Sequence, residues 1–383
     1  MKPAAAFTSL AAAMIAGCTP PLPVKEEVAA QAPDARAIIA DIGRIDTPNG
    51  IEESFAANIG GVDQWLSIRG KDRSNPVILL VHGGPGSAEL AIGWTFQRGW
   101  EDYFTVIQWD QRVAGKSYGL NDPETVIPTL SVERMTDDVI EVMELARERL
   151  GQEKVILIGH SWGSVIGLNA VLERPDLVAA YVPHGQVVNM RRNEEEGFRF
   201  AMDAALSEGN AEAVAELEAL QPYPGELTVE RIGAQRTWAI HYGALAAYRD
   251  SASPWFGAMR LSPEYSDADA NAWNEGSLAS ITALIGELSA VDFDGVTEVE
   301  VPVFMLHGRH DYTTPAQIGS DWLARLKAPA KGEYWFEHSA HLAFMEEPGR
   351  VLTTLVTCIR PYATEPTLEA ARAKAEAGCV HGG

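Results

Sequence analysis

Lys154-Val155-Ile156-Leu157-Ile158-Gly159-His160-Ser161-Trp162-Gly163-Ser164 runs from an apolar, β-branched stretch through a glycine-flanked serine into the helix-like segment Val165 to Leu172. The pattern predicts a strand, a sharp turn and a helix, with Ser161 at the tip. Glycines at 159 and 163 suit such a turn for a physical reason. The serine sits in strained backbone, and side chains on either flank would collide with the adjoining strand and helix.

Outward from the turn, Pro76-Val77-Ile78-Leu79-Leu80-Val81 and Phe104-Thr105-Val106-Ile107-Gln108-Trp109 are short continuous apolar runs. Such runs suit strands buried on both faces of a parallel sheet. Further strands are expected at Leu177 to Val182 and Val301 to Leu306. Two antiparallel opening strands follow from the alternation Phe55, Ile59, Val62, Trp65, Leu66, Ile68 about Gly60-Gly61. Ser131 to Leu150 has helical spacing, with Ser131 as N-cap and Gly151 as the stop. Strand and helix alternate as in a mostly parallel, doubly wound α/β sheet. Strand signals cease between about Gln186 and Val291, a span too long for a loop, which predicts an inserted helical cap over the ends of the strands. Trp238, Tyr242, Tyr248, Trp255, Phe256 and Trp273 fall there, mostly as cap core.

A serine hydroxyl needs a base, and the base an orienting acid. His341 is the best placed of the nine histidines, after the last expected strand and before a helix opened by Glu346-Glu347-Pro348; His338 is its rival. Asp311 stands at the end of the strand Val303 to Leu306, where sheet enzymes carry their chemistry. The order Ser161, Asp311, His341 is that of α/β-hydrolases. The backbone N–H groups of Gly84 and Trp162 are the expected oxyanion donors.

The 383 residues, 46% apolar and 22% charged, form an ordinary globular mixture. Fifty-three acidic against 30 basic residues give a charge of −23, which repels phosphate backbones and argues against nucleic acid as partner. Lys2, the apolar stretch Ala4 to Ala16 and Ile15-Ala16-Gly17-Cys18 read as an export signal resembling a bacterial lipobox, with a simple secretory signal as the alternative. Cys18 would carry the lipid, the only expected membrane contact, and Thr19 after it suggests an outer-membrane lipoprotein facing the periplasm or surface. Cys358 and Cys379 are either a disulfide in that oxidising compartment or one buried thiol and one free tail thiol. The expected organisation is a leader over 1–18, a tether and lead-in over 19–53, a sheet domain over 54–185 and 292–362, a cap over 186–291 and a tail over 363–383.

His82-Gly83-Gly84-Pro85-Gly86, Trp109-Asp110-Gln111-Arg112 with Gly115-Lys116-Ser117, and Gly159 to Ser164 resemble the three signatures of the prolyl aminopeptidase (proline iminopeptidase) family of α/β-hydrolases. The resemblance covers about residues 55 to 360. It implies a serine hydrolase without metal or other cofactor, releasing an N-terminal residue, often proline, from short peptides. It also implies Ser161, Asp311 and His341 as triad and Gly84 with Trp162 as oxyanion hole. Val113 stands where the family has glycine, and His160 where many peptidase members have glycine. Family aminopeptidases hold the substrate amine with cap glutamates, for which Glu194, Glu195 and Glu196 are the candidates here. Arg112 is expected to be an internal ion-pair residue. An esterase or lactonase of the same fold, acting on a bulky ester such as an antibiotic, is the alternative, and a catalytically silent binding module the third possibility.

Overall fold

The computed structural model describes residues 34–379; the leader and Cys18 lie outside them. Eight strands form one sheet: β1 (Ile51–Ile59), β2 (Val62–Gly70), β3 (Val77–Val81), β4 (Thr105–Asp110), β5 (Val155–His160), β6 (Val178–His184), β7 (Val303–Gly308) and β8 (Lys331–Phe336). Their order is β1-β2-β4-β3-β5-β6-β7-β8. β2 pairs antiparallel with β1 and β4, and every pairing from β4 to β8 is parallel. Gly60 and Gly61 turn the opening hairpin with φ of 56° and 79°, the left-handed region that a tight hairpin turn requires.

The apolar runs are continuous because each strand feeds two cores. Val77, Leu79 and Val81 of β3 belong to one cluster, and Ile78 and Leu80 to the other on the opposite face. Helices α1 (Val132–Leu150) and α2 (Trp162–Glu173) cover the first face. Ser131 caps α1 by accepting from the Arg134 N–H, and Gly151 ends it at φ 66°, as capping chemistry dictates. β7 begins two residues later than expected because Pro302 has no N–H for the ladder; its carbonyl instead accepts from the Tyr181 N–H at 2.9 Å.

Between β6 and β7 the chain forms helices α3 (Met190–Glu208), α4 (Ala211–Glu218), α5 (Val229–His241) and α6 (Asp267–Ser289). α3, α4 and α5 share a small core of their own around Phe198, Ala205, Leu217 and Ala239, against which Trp238 and Tyr242 pack. α6 lies so close to the sheet domain that a side chain at Gly276 would come within 2.1 Å of the Val113 carbonyl oxygen. Beside it Tyr265 donates to the buried carboxylate of Asp110.

One departure from the family signature and one residue of it acquire physical content here. Val113 adopts φ 63°, a region costly for a β-branched residue and natural for the glycine it replaces. Arg112 is buried against Asp138 through two hydrogen bonds, of 2.5 and 2.8 Å, and takes no part in a cavity at Ser161.

The C-terminal stretch is more ordered than a tail. Helix Leu368–Gly378 is tied back by a disulfide between Cys358 and Cys379, 21 residues apart. A loop of that length stabilises the chain by about 3 kcal/mol in the chain-entropy account.

Candidate active site

Ser161 joins β5 to α2 with φ 53° and ψ −120°, a conformation rarely adopted outside glycine and held only where the surroundings over-determine it. The constraints are visible. Its N–H donates to the His184 carbonyl at 2.9 Å, and its own carbonyl accepts from the Ser164 N–H at 2.9 Å and the Ser164 hydroxyl at 2.6 Å. A side chain at Gly159 would approach the Gly163 carbonyl to 2.8 Å, and one at Gly163 would reach 2.0 Å from the Val81 carbonyl oxygen.

His341 lies buried in the loop between β8 and the helix Ala343–Glu346. Its Nδ1 donates to Asp311 Oδ2 at 2.8 Å, which leaves Nε2 as the basic nitrogen. Asp311 follows the end of β7, and its carboxylate accepts from the Thr313 and Thr314 N–H groups and the Thr314 hydroxyl, each at 2.9 Å. Burial alone would raise the Asp311 carboxyl, but His341 and these donors outweigh it and hold the carboxyl below the usual range. The His341 loop is fastened by Glu346, which accepts N–H groups from Ala340 at 2.9 Å and, across the cap, from Ala247 at 2.6 Å. His338 is exposed three residues away and shares no cavity with Ser161.

Ser161, His341 and Gly84 line one cavity. Trp162 opens α2, so its N–H has no partner within the helix, and Gly84, at φ 117°, faces the same space. Gly84, Trp162 and Ser161 line one space, where the two N–H groups are the expected oxyanion donors; such a donor is worth about 3 kcal/mol of barrier.

Two histidines stack behind this group. His184 lies 4.8 Å from His160, ring centre to ring centre, at 10°, and His160 lies 4.8 Å from His341. Burial pushes the His184 pKa well below the ordinary imidazole range. Burial also opposes a charge on His160, yet Glu89 beside it outweighs that and raises its pKa. His160 Nδ1 donates to Glu89 Oε1, and its Nε2 donates to the His341 carbonyl at 2.9 Å. Each nitrogen of His160 thus faces an oxygen.

Burial pushes the His341 pKa below the ordinary range, with Asp311 opposing and the His160 charge adding to the depression. A lowered pKa keeps the base neutral further into acid. The acid limb of kcat/KM is therefore expected below the ordinary imidazole value of about 6.5. A pH profile with its limb above 7 would contradict this.

The cap glutamates do not reach the nucleophile. Glu194 is fully buried, but it is spent on Arg236 at 2.5 Å and on the Tyr223 hydroxyl. Glu195 is exposed, and Glu196 pairs with Arg199 on the surface of α3. Both oxygens of the one buried glutamate of the three are already occupied, one by Arg236 and one by Tyr223, so the expected amine-binding role has no support at these positions. The carboxylate in the cavity is Glu89, on the short helix Glu89–Ala91 that follows the turn after β3. Its signal in the sequence is a lone charge inside Ala88-Glu89-Leu90-Ala91-Ile92.

A family model described as the α/β-hydrolase fold matches residues 76–348. The chain belongs to the α/β-hydrolase family. Among curated α/β-hydrolase relatives is a Bacillus subtilis protein named "Probable aminopeptidase YbaC", 29% identical over 300 residues, covering 78% of this chain and 93% of the relative. A proline iminopeptidase of Neisseria meningitidis serogroup A is 25% identical over 348 residues, covering 82% and 98%. A proline iminopeptidase-related protein of Thermus thermophilus has the same fold, with a TM-score of 0.57 at 19% identity over 85% of this chain and 99% of that one.

Proposed function

We propose that this α/β-hydrolase is a serine aminopeptidase that releases an N-terminal residue of proline type from short peptides through an acyl-enzyme. The observation that carries the proposal is Glu89. One carboxylate oxygen is held by His160, the other, Oε2, is buried without a partner, and Glu89 lines the cavity lobe that contains Ser161 and His341. A buried carboxylate oxygen calls for a donor, and a substrate ammonium is the donor that supplies charge as well. The remainder of that lobe, about 170 Å³, is walled by apolar side chains that include Phe256, Met259 and Trp273, which suits a small apolar ring or side chain.

In the reaction, Ser161 Oγ attacks the carbonyl of the N-terminal residue while His341 Nε2 takes its proton. Asp311 stabilises the imidazolium, and the N–H groups of Gly84 and Trp162 receive the oxyanion. His341 returns the proton to the leaving amine, and a water activated by the same imidazole releases the acyl group. Export as a lipoprotein through Cys18 belongs to the same proposal, and the Cys358–Cys379 disulfide fits an oxidising compartment.

The purified protein is expected to cleave proline anilide, and Glu89→Gln to lower kcat/KM for the anilide about 100-fold relative to a short-chain aryl ester that lacks an amine. Ester turnover with no anilide turnover, or equal losses on both substrates, would reject the amine-binding assignment.

A further inference from the structure

The space at Ser161 has a second lobe of about 110 Å³, which Ser161, Gly84 and Trp162 share with Asn193, Arg236 and Ile232. Asn193, on the first turns of α3, is 1% exposed, and neither its Oδ1 nor its Nδ2 has a hydrogen-bond partner. Buried carboxamides are normally paired. Arg236 and Glu194 beside it are satisfied by other groups. Arg236 donates to Glu194 at 2.5 Å, to the Gln235 side chain at 3.0 Å and to the Thr313 carbonyl at 3.0 Å, and Glu194 accepts from Tyr223 as well. Gln235 Nε2 and both polar atoms of Asn193 lack a partner, and of these two residues Asn193 is the one that lines the lobe with the nucleophile.

A carboxamide presents one acceptor and one donor side by side. Its complement is a secondary amide, whose C=O meets Nδ2–H and whose N–H meets Oδ1. The direction of the substrate follows from the amine-binding role of Glu89, on which this inference rests. With the ammonium at Glu89 the acyl residue fills the first lobe, and the leaving amine extends into the second. We propose that Asn193 is a specificity-determining residue that reads the first peptide unit beyond the scissile bond. The preferred substrates are then peptides of at least three residues, ahead of anilides, dipeptides and simple esters.

A matched pair of substrates isolates this contact. Pro-Ala methylamide and Pro-Ala methyl ester share the Pro–Ala scissile bond and differ only in offering N–H or O to Oδ1. The wild-type enzyme is expected to favour the methylamide in kcat/KM by about tenfold or more, since a site built to bond an N–H rejects the analogue lacking it. Asn193→Leu, close in size and without hydrogen-bonding groups, is expected to bring that ratio near one, whereas Asn193→Asp, which keeps the acceptor and loses the donor to the shared carbonyl, is expected to keep the preference for the methylamide while lowering both rates. A general loss of packing would lower both rates together and leave the ratio in place. An unchanged ratio in Asn193→Leu, with the Pro–Ala bond still cleaved, would overturn the role of Asn193 and leave the aminopeptidase assignment standing. A wild-type enzyme that cleaves neither substrate at the Pro–Ala bond would overturn both.

Discussion

Ser161→Ala is expected to lower kcat by about 10⁴- to 10⁶-fold, and His341→Ala to cost about as much, because a nucleophile and its base act as a unit. Ser161 is held in a conformation that presents its hydroxyl to the cavity, and His341 has its proton placed on Nδ1 by Asp311 at 2.8 Å. Neither residue has a neighbour able to replace it. His160 is the nearest other imidazole, but its two nitrogens already donate, to Glu89 and to the His341 carbonyl, so it cannot accept the serine proton. His184 accepts the Ala343 N–H on Nε2 at 3.3 Å and has Nδ1 against the Leu306 carbonyl at 3.2 Å. His338→Ala is expected to retain wild-type rates, since His338 is exposed and outside the cavity. Steady-state kinetics on the three variants decides the matter. A Ser161→Ala protein with its activity intact, or an inactive His338→Ala beside an active His341→Ala, would refute the triad.

Gly163→Ala is expected to destabilise the protein by roughly 4 kcal/mol, among the largest effects a single methyl can have. The added carbon would lie 2.0 Å from the Val81 carbonyl oxygen and 2.8 Å from that of His82. These are backbone atoms at the end of β3, and a flexible side chain that could swing aside is not what meets the methyl. Relief requires α2 to move away from the sheet, and α2 carries Val165, Ile166 and Leu168, all fully buried. The same shift would carry the Trp162 N–H out of place, so activity should fall with stability. Thermal unfolding is the direct measurement, with a drop of roughly 5 °C or more expected at this chain length. A Gly163→Ala protein melting with the wild type would show that α2 does not press on β3 in this way.

Much of this architecture was readable before any coordinates. Ser131 and Gly151 bound α1 as capping rules require, and the alternation about Gly60-Gly61 gives the hairpin. Local chemistry sufficed at these places because hydrogen-bond supply and backbone sterics act over a few residues. Strand ends were less legible: β6 and β7 each run two residues beyond the expected stop, carrying His184 and His307-Gly308 into the sheet, because parallel pairing with neighbouring strands determines where a strand ends.

The site divides along the same line. Ser161, Asp311 and His341 could be named from one sequence because each follows a strand whose apolar run is a strong local signal, and the strand ends place them in one neighbourhood. Residues that bind substrate carry no comparable signal. Glu194, Glu195 and Glu196 look alike as a string, yet one is buried against Arg236, one is exposed and one pairs with Arg199. Glu89 and Asn193 sit in unremarked surroundings in sequence, 104 positions apart. The sequence by itself determined the sheet and the elbow and singled out Ser161, Asp311 and His341 as candidate reacting groups, since those depend on short-range periodicity and steric need. Only the tertiary structure decided which carboxylate and which amide face the nucleophile, because that depends on which of several similar polar groups find partners when distant segments pack.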